Sequence, residues 1–200
     1  MQSKSLLAFS LALISESTMS ACGGASGGAG TSFAPSGQRA ATVRASSKTN
    51  LFVESFTQIG EYTMSGDLVR IITDGFTSTG TSTGGLAVDA AGYLYAITGD
   101  FSIGVYAPSS RSLVRTISKG IGWPFSLATD ASGNLYVGNG ENNTVTVYPP
   151  GGSAPSLTIS QGIDDPASIA VDSHGNLYVA NLFANTVTVY SPAGAPSPLA

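Results

Sequence analysis

The chain has 200 residues, 42% of them hydrophobic, which suits one domain or a small repeat array and argues against whole-chain disorder. Charged residues make up only 10%, where a typical soluble domain has roughly 25%; serine, threonine and 25 glycines stand in their place. Net charge is −4 with no basic block, which argues against a nucleic-acid partner; one cysteine excludes an internal disulfide and a Cys/His zinc site, and one histidine most multi-histidine metal sites. No metal and no cofactor is therefore expected.

Residues 1–21 read as an export signal. Lys4 supplies a positive start, and Ser5–Ile14 is an apolar run of ten, too short to span a bilayer. A polar stretch, SESTMSA, then leads to Cys22. The segment Met19-Ser20-Ala21-Cys22, followed by Gly23-Gly24, resembles the lipobox of bacterial lipoproteins. That resemblance implies cleavage before Cys22 and a diacylglycerol thioether on its sulfur. Met19 departs from the usual leucine, and Glu16 places a charge near the cleavage point. The expected location is extracytoplasmic and membrane-anchored, with plain secretion as the alternative.

Residues 22–49 are rich in glycine, serine and alanine and cannot bury enough apolar area to fold alone, so they read as a disordered tether. Its charges, Arg39, Arg44 and Lys48, are all basic. From residue 50 onward eleven acidic side chains face four basic ones, Arg70, Arg111, Arg115 and Lys119.

Residues 50–200 repeat internally. GLAVDAAGYLYAI from Gly85, SLATDASGNLYVG from Ser126 and SIAVDSHGNLYVA from Ser168 align, and their aspartates Asp89, Asp130 and Asp172 lie 41 and 42 residues apart. Gly92, Gly133 and Gly175 keep the same intervals, and a second tyrosine recurs at Tyr106, Tyr148 and Tyr190. A degenerate earlier unit contains Asn50-Leu51-Phe52-Val53, and IGEYTMSGDLVRIITDG from Ile59 matches IGVYAPSSRSLVRTISKG from Ile103. The units span 50–75, 84–120, 125–161 and 167–200.

Each unit reads as four short strands, alternating with period two or continuously apolar, and no window has helical periodicity. In the Asp-x-x-Gly step the aspartate accepts from turn N–H groups, and the glycine supplies the positive φ that closes the hairpin. Units of 41–42 residues with four strands are β-propeller blades, so the fold class is all-β. About three and a half to four blades are present. Three endings stay open: a larger propeller cut short, which is favoured, a four-bladed ring closed by ATVRAS (residues 41–46), or self-association of two chains through an open edge.

The pattern IAVDSHGNLYVAN…NTVTVY resembles NHL-type repeats and related six-bladed propellers of secreted bacterial proteins, over about residues 50–200. The resemblance speaks for fold more than for function, since such propellers include lactonases, lyases and binding modules. Where that family often has aspartate, this chain has Asn139 and Asn181; these, with Asn143 and Asn185, read as loop-tying residues.

Alternating strand direction puts the strand-two-to-three loops and the interblade loops on one face, and the Asp-x-x-Gly turns on the other. The first face carries the candidate ligand-binding residues Asp100, Phe101, Trp123, Phe125, Glu141, Asn142, Asp164, Asp165, Leu182 and Phe183. His174 falls in a turn of the opposite face, so no Ser-His-Asp arrangement can be drawn, and no phosphate-binding glycine motif precedes a helix. Trp123-Pro124-Phe125 is either a binding surface or interblade packing. The reading is a non-enzymatic module that binds a protein, peptide or glycan; a metal-dependent lactonase or hydrolase is the alternative.

Overall fold

The computed structural model describes residues 39–45, 48–55, 57–76, 85–98 and 101–192. The signal segment, Cys22, Asp100 and the expected last strand at Leu199 lie outside them. Among the described residues there are fifteen strands and no helix. Blade 1 is β1 (Arg39–Ala45), β2 (Lys48–Ser55), β3 (Gln58–Thr63) and β4 (Leu68–Ile72). Blade 2 is β5 (Leu86–Val88), β6 (Leu94–Thr98), β7 (Ser102–Tyr106) and β8 (Leu113–Ile117). Blade 3 is β9 (Pro124–Thr129), β10 (Leu135–Asn139), β11 (Thr144–Tyr148) and β12 (Leu157–Ile159); blade 4 comprises β13 (Pro166–Val171), β14 (Leu177–Asn181) and β15 (Thr186–Tyr190).

Every neighbouring pair within a sheet is antiparallel and follows chain order. The first strands lie side by side, β1 against β5, β5 against β9 and β9 against β13, so they form the inner edges of successive propeller blades. Burial follows from that position. β6, β7 and β11 are sandwiched between sheets and are buried on both faces, whereas the outer strands β4 and β8 alternate between buried and exposed.

The core is three interblade layers. Phe52, Ile59 and Ile72 of blade 1 meet Leu86, Val88, Leu94 and Tyr106 of blade 2. Ala87, Tyr95, Ile97, Ile103 and Val105 of blade 2 meet Leu127, Leu135, Val137 and Tyr148 of blade 3. Ala128 and Val145 of blade 3 meet Ile169, Val171, Leu177, Val179 and Tyr190 of blade 4.

The tether boundary requires a correction. Residues 39–45, placed in the tether by composition, pair along their whole length with β2, from Arg39 opposite Glu54 to Ala45 opposite Lys48. Backbone pairing explains this: the inner edge of β2 offers a ladder of donors and acceptors, and a strand satisfies it with few apolar side chains. The segment ATVRA is thus the first strand of blade 1, and NLFV belongs to the second.

The turns are built by one device. Asp130 Oδ1 accepts from the Asn134 N–H at 2.8 Å, and its Oδ2 accepts from Asn134 Nδ2 at 2.7 Å and from Tyr136 Oη at 3.2 Å. Asp172 repeats this set with Asn176 and Tyr178, and Asp89 accepts from the Tyr93 N–H and Tyr95 Oη. Gly92, Gly133 and Gly175 hold φ of 88°, 82° and 83°.

A second device joins blades. Tyr106, Tyr148 and Tyr190 donate through Oη to the backbone carbonyls of Asp74, Lys119 and Gln161, at 2.6, 2.7 and 2.5 Å. Each acceptor lies in the turn that leaves the preceding blade, and each turn is closed by a glycine of positive φ, Gly75, Gly120 or Gly162. The 42-residue tyrosine spacing is the sequence trace of this staple.

Candidate functional site

The loop face is organised by two asparagines. Asn139 Oδ1 accepts from the Gly122 N–H at 3.0 Å, and its Nδ2 donates to Val137 O and Thr146 Oγ1 at 3.1 and 3.0 Å. Asn181 Oδ1 accepts from the Asp164 N–H at 3.0 Å, and its Nδ2 donates to Thr188 Oγ1 at 3.2 Å. Both are buried, so each interblade loop is tied to the neighbouring strand-two-to-three loop. Backbone bonds reinforce the tie, from Gly140 N–H to Trp123 O and from Leu182 N–H to Asp165 O, both at 3.0 Å.

On this frame Phe101 and Trp123 stand out. Phe101 immediately precedes β7, the place held by Asn143 before β11 and Asn185 before β15. All three are left-handed, with φ of 53°, 52° and 53°. Trp123 immediately precedes β9, as Asp165 precedes β13, with φ of 50° and 53°. Asparagine and aspartate tolerate this backbone region; bulky aromatics rarely enter it. Yet the two rings, 48% and 49% exposed, meet edge to face with centroids 5.7 Å apart.

The other expected residues divide. Phe125 is half-buried, its ring lying over Gly140, where an added Cβ would come within 2.2 Å of it. The next repeat has the opposite sizes, Ala167 and Leu182. Of Trp123-Pro124-Phe125, then, the phenylalanine packs and the tryptophan faces solvent. Leu182 and Phe183 are exposed, Phe183 at 73%. Glu141 and Asn142 are exposed, and Asn142 Oδ1 accepts from Thr144 Oγ1 at 2.7 Å. Asp164 and Asp165 are half-buried, and the Asp165 carboxyl is pushed above the usual range by burial and by the neighbouring Asp164 charge. His174 is exposed beside Asp172, on the opposite face. Among the described residues no three His, Cys, Asp or Glu side chains converge as a metal site.

One feature escaped the sequence reading. Glu61 and Arg70, on adjacent strands of blade 1, form a buried ion pair in which Asn50 Nδ2 also donates to Glu61 and Arg70 donates to Ser110 O of blade 2. Their sequence separation carries no motif; only the β3–β4 register, which sets Glu61 opposite Arg70, brings them together. A shallow cleft beside the pair, lined by Val69, Ser109 and Arg111, lies at the outer rim, away from the loop face.

No protein-family model and no curated protein sequence matches the chain. Solved structures do. The WD40 β-propeller domain of Doa1 aligns with a TM-score of 0.60 at 17% identity, over 76% of this chain and 49% of that one. Hydrazine synthase of Kuenenia stuttgartiensis aligns with a TM-score of 0.58 at 15% identity, over 72% of this chain and 43% of that one. The fold is a β-propeller. The chain spans less than half the length of either neighbour, and at such identities the likeness is one of fold alone.

Proposed function

We propose that this chain is a non-enzymatic, extracytoplasmic propeller of the NHL type, held to a membrane through Cys22, whose loop face binds a protein or peptide. The observation that carries the reading is the Phe101–Trp123 pair: two large rings kept half in solvent on backbone that disfavours them. Strained, exposed aromatics fit a contact surface, because they bury much area on binding at small entropic cost. Charge narrows the partner. The described loop-face residues include the acidic Asp74, Glu141, Asp164 and Asp165 against one basic residue, Lys119. A segment with an apolar anchor beside basic residues satisfies both features, with cation–π contact to Trp123 available.

The test uses the chain's single tryptophan. A displayed random-peptide library is selected on the full chain, and enriched peptides are titrated against Trp123 fluorescence. The expected result is peptides pairing an apolar anchor with Arg or Lys that shift the emission and lose binding to F101N/W123D. Failure to enrich any sequence, or equal binding by that double variant in a labelled-peptide assay, would remove the loop face as the binding surface.

A further inference from the structure

The cleft at the outer rim of blades 1 and 2 has a volume of about 320 Å³, at the lower end of the range of about 300–1,000 Å³ that small-molecule sites occupy. Blade 1 lines it with Glu61, Val69 and Arg70, and blade 2 with Ser109 and Arg111. From residue 50 onward the chain has four basic side chains against eleven acidic ones, and two of the four line this cleft. Arg70 is the fixed member. It is 8% exposed, its Nε–H donates to Glu61 and its Nη1 to Ser110 O. Its Nη2 has no acceptor among the described residues and is not among their sealed, unpartnered atoms, so its N–H groups are left to the cleft. Glu61 is already engaged, since it accepts from Arg70 and from Asn50. Arg111 is exposed and has no carboxylate within ion-pair distance among the described residues. With Glu61 cancelling Arg70, the cleft keeps the single positive charge of Arg111.

The next junction shows that blade packing asks for none of this. Leu113-Val114-Arg115 of β8 repeats Leu68-Val69-Arg70 of β4, yet Val105 stands opposite Arg115 where Glu61 stands opposite Arg70. Gly151 and Ser153 hold the places of Ser109 and Arg111. Ser109 has φ of 61°, at a turn position where Gly151 has 74° without strain. The acid, the strained serine and the unpaired arginine therefore occur together at this rim and not at the next. We propose that the cleft binds the carboxylate of a small monocarboxylic acid with a short apolar body. Arg111 meets the carboxylate from the solvent side, and Arg70 Nη2 and the Ser109 hydroxyl donate to it from the walls. Val69, 47% exposed, meets the apolar body. One carboxylate matches the one uncancelled charge, which a phosphate dianion would exceed. The cleft lies away from the loop face, so this inference is independent of the peptide reading above.

Heteronuclear NMR of the full chain tests it, with isovalerate as the probe at constant ionic strength. The expected result is a saturable shift of the Arg70 and Arg111 Nε–H signals and of the Ser109 amide, in the millimolar range. R111Q changes an exposed side chain, so the rest of its spectrum should stay in place. It should bind the probe about tenfold more weakly or worse, the worth of one charge-assisted hydrogen bond. Isovaleramide keeps the shape without the charge and should give no saturable shift. Inorganic phosphate should bind more weakly than isovalerate. Isovalerate shifts that do not saturate, R111Q binding as tightly as the natural chain, or equal binding of the amide overturns the inference. Tighter binding of phosphate than of isovalerate also overturns it, in favour of a phosphoryl site.

Discussion

Phe101 and Trp123 meet edge to face where, one repeat later, the equivalent residues are joined by a hydrogen bond: the Asp165 N–H donates to Asn143 Oδ1 at 2.8 Å. One junction between blades is therefore tied by a polar contact and the other by an aromatic one, both at the solvent-facing surface. Since the polar version already serves as a tie, replacing it by two strained rings gains little for folding. Left-handed backbone costs a non-glycine residue on the order of 1–3 kcal/mol, and an edge-on aromatic pair returns about 0.5–1.5 kcal/mol.

The first prediction follows from these magnitudes. F101N/W123D installs the residues of the next junction and relieves the strain as it removes the ring contact. Its unfolding free energy should stay within about 1 kcal/mol of the natural chain, while peptide binding is lost. A loss of more than about 2 kcal/mol in denaturant titration would show the rings to be packing residues and not a binding surface.

The tyrosine staple gives the second. Tyr148→Phe removes one neutral hydrogen bond to Lys119 O, for an expected loss of about 1 kcal/mol. Gly120→Ala acts at the same point by another route: its φ is +80°, and the new Cβ would lie 3.2 Å from Tyr148 Oη and 3.0 Å from Pro155 Cγ. It should cost about 1–3 kcal/mol. Because both changes disturb one contact, the double variant should lose less than the sum. Full additivity in urea titration would separate the turn from the staple.

Much of this architecture was legible because the repeat is strict. Asp130 and Gly133 announce their hairpin through local chemistry that needs no tertiary context, and a 42-residue unit of short strands leaves few folds open. The strand at residues 39–45 was legible only in part: ATVRAS stood as one candidate for a closing strand, while composition assigned the same residues to the tether. RAATVRA has the composition of a tether, and only backbone pairing to β2 makes it a strand. At the loop face, topology placed Phe101 and Trp123 on one side, but neither spacing nor composition signals that both have left-handed φ or that their rings touch. The division between Trp123 and Phe125 was equally unreadable, since it depends on Gly140 making room for one ring across the interblade gap.

Alkaline pH should weaken the fold through its tyrosines. Tyr136 has its phenol pushed up to about 12 from the ordinary 10.0, chiefly by burial and further by the charge of Asp130 and the hydrogen bond to it. Burial likewise raises Tyr95, Tyr106 and Tyr148. A phenol whose folded pKa lies above its unfolded value contributes stability that is complete below the unfolded pKa and lost as pH rises through the folded one. Urea midpoints should therefore be flat up to pH 10.0 and fall between there and about 12, in step with phenolate absorbance. A urea midpoint that stays flat from pH 10.0 up to about 12 would contradict the buried, hydrogen-bonded state of these side chains.

The anchor is tested by one atom. Cys22→Ala removes the only thiol to which a diacylglycerol could attach, so the protein should move from the membrane to the soluble extracytoplasmic fraction. Radiolabelled fatty acid should mark the natural chain and not the variant. Unchanged fractionation together with an unlabelled natural chain would leave the first 22 residues as an ordinary secretion signal.

The last prediction separates two residues of closely similar turns. Gly133 sits at φ 82°, and an added Cβ would stand 3.3 Å from Pro150 Cγ, so a side chain there meets both a disfavoured backbone and a packed ring. Gly133→Val should cost about 1–3 kcal/mol, and Gly133→Ala the lower part of that range. His174, one residue before the matching Gly175, has its side chain 83% exposed, with Nδ1 4.0 Å from Asp172 Oδ2, too far for a hydrogen bond. What the turn takes from that position is the backbone, since the His174 N–H donates to Asp172 Oδ1 at 2.9 Å whatever the side chain. His174→Ala should thus change stability by no more than about 0.5 kcal/mol. Parallel urea titrations of the two variants decide the matter: equal losses would mean that the imidazole, not the glycine, closes these hairpins.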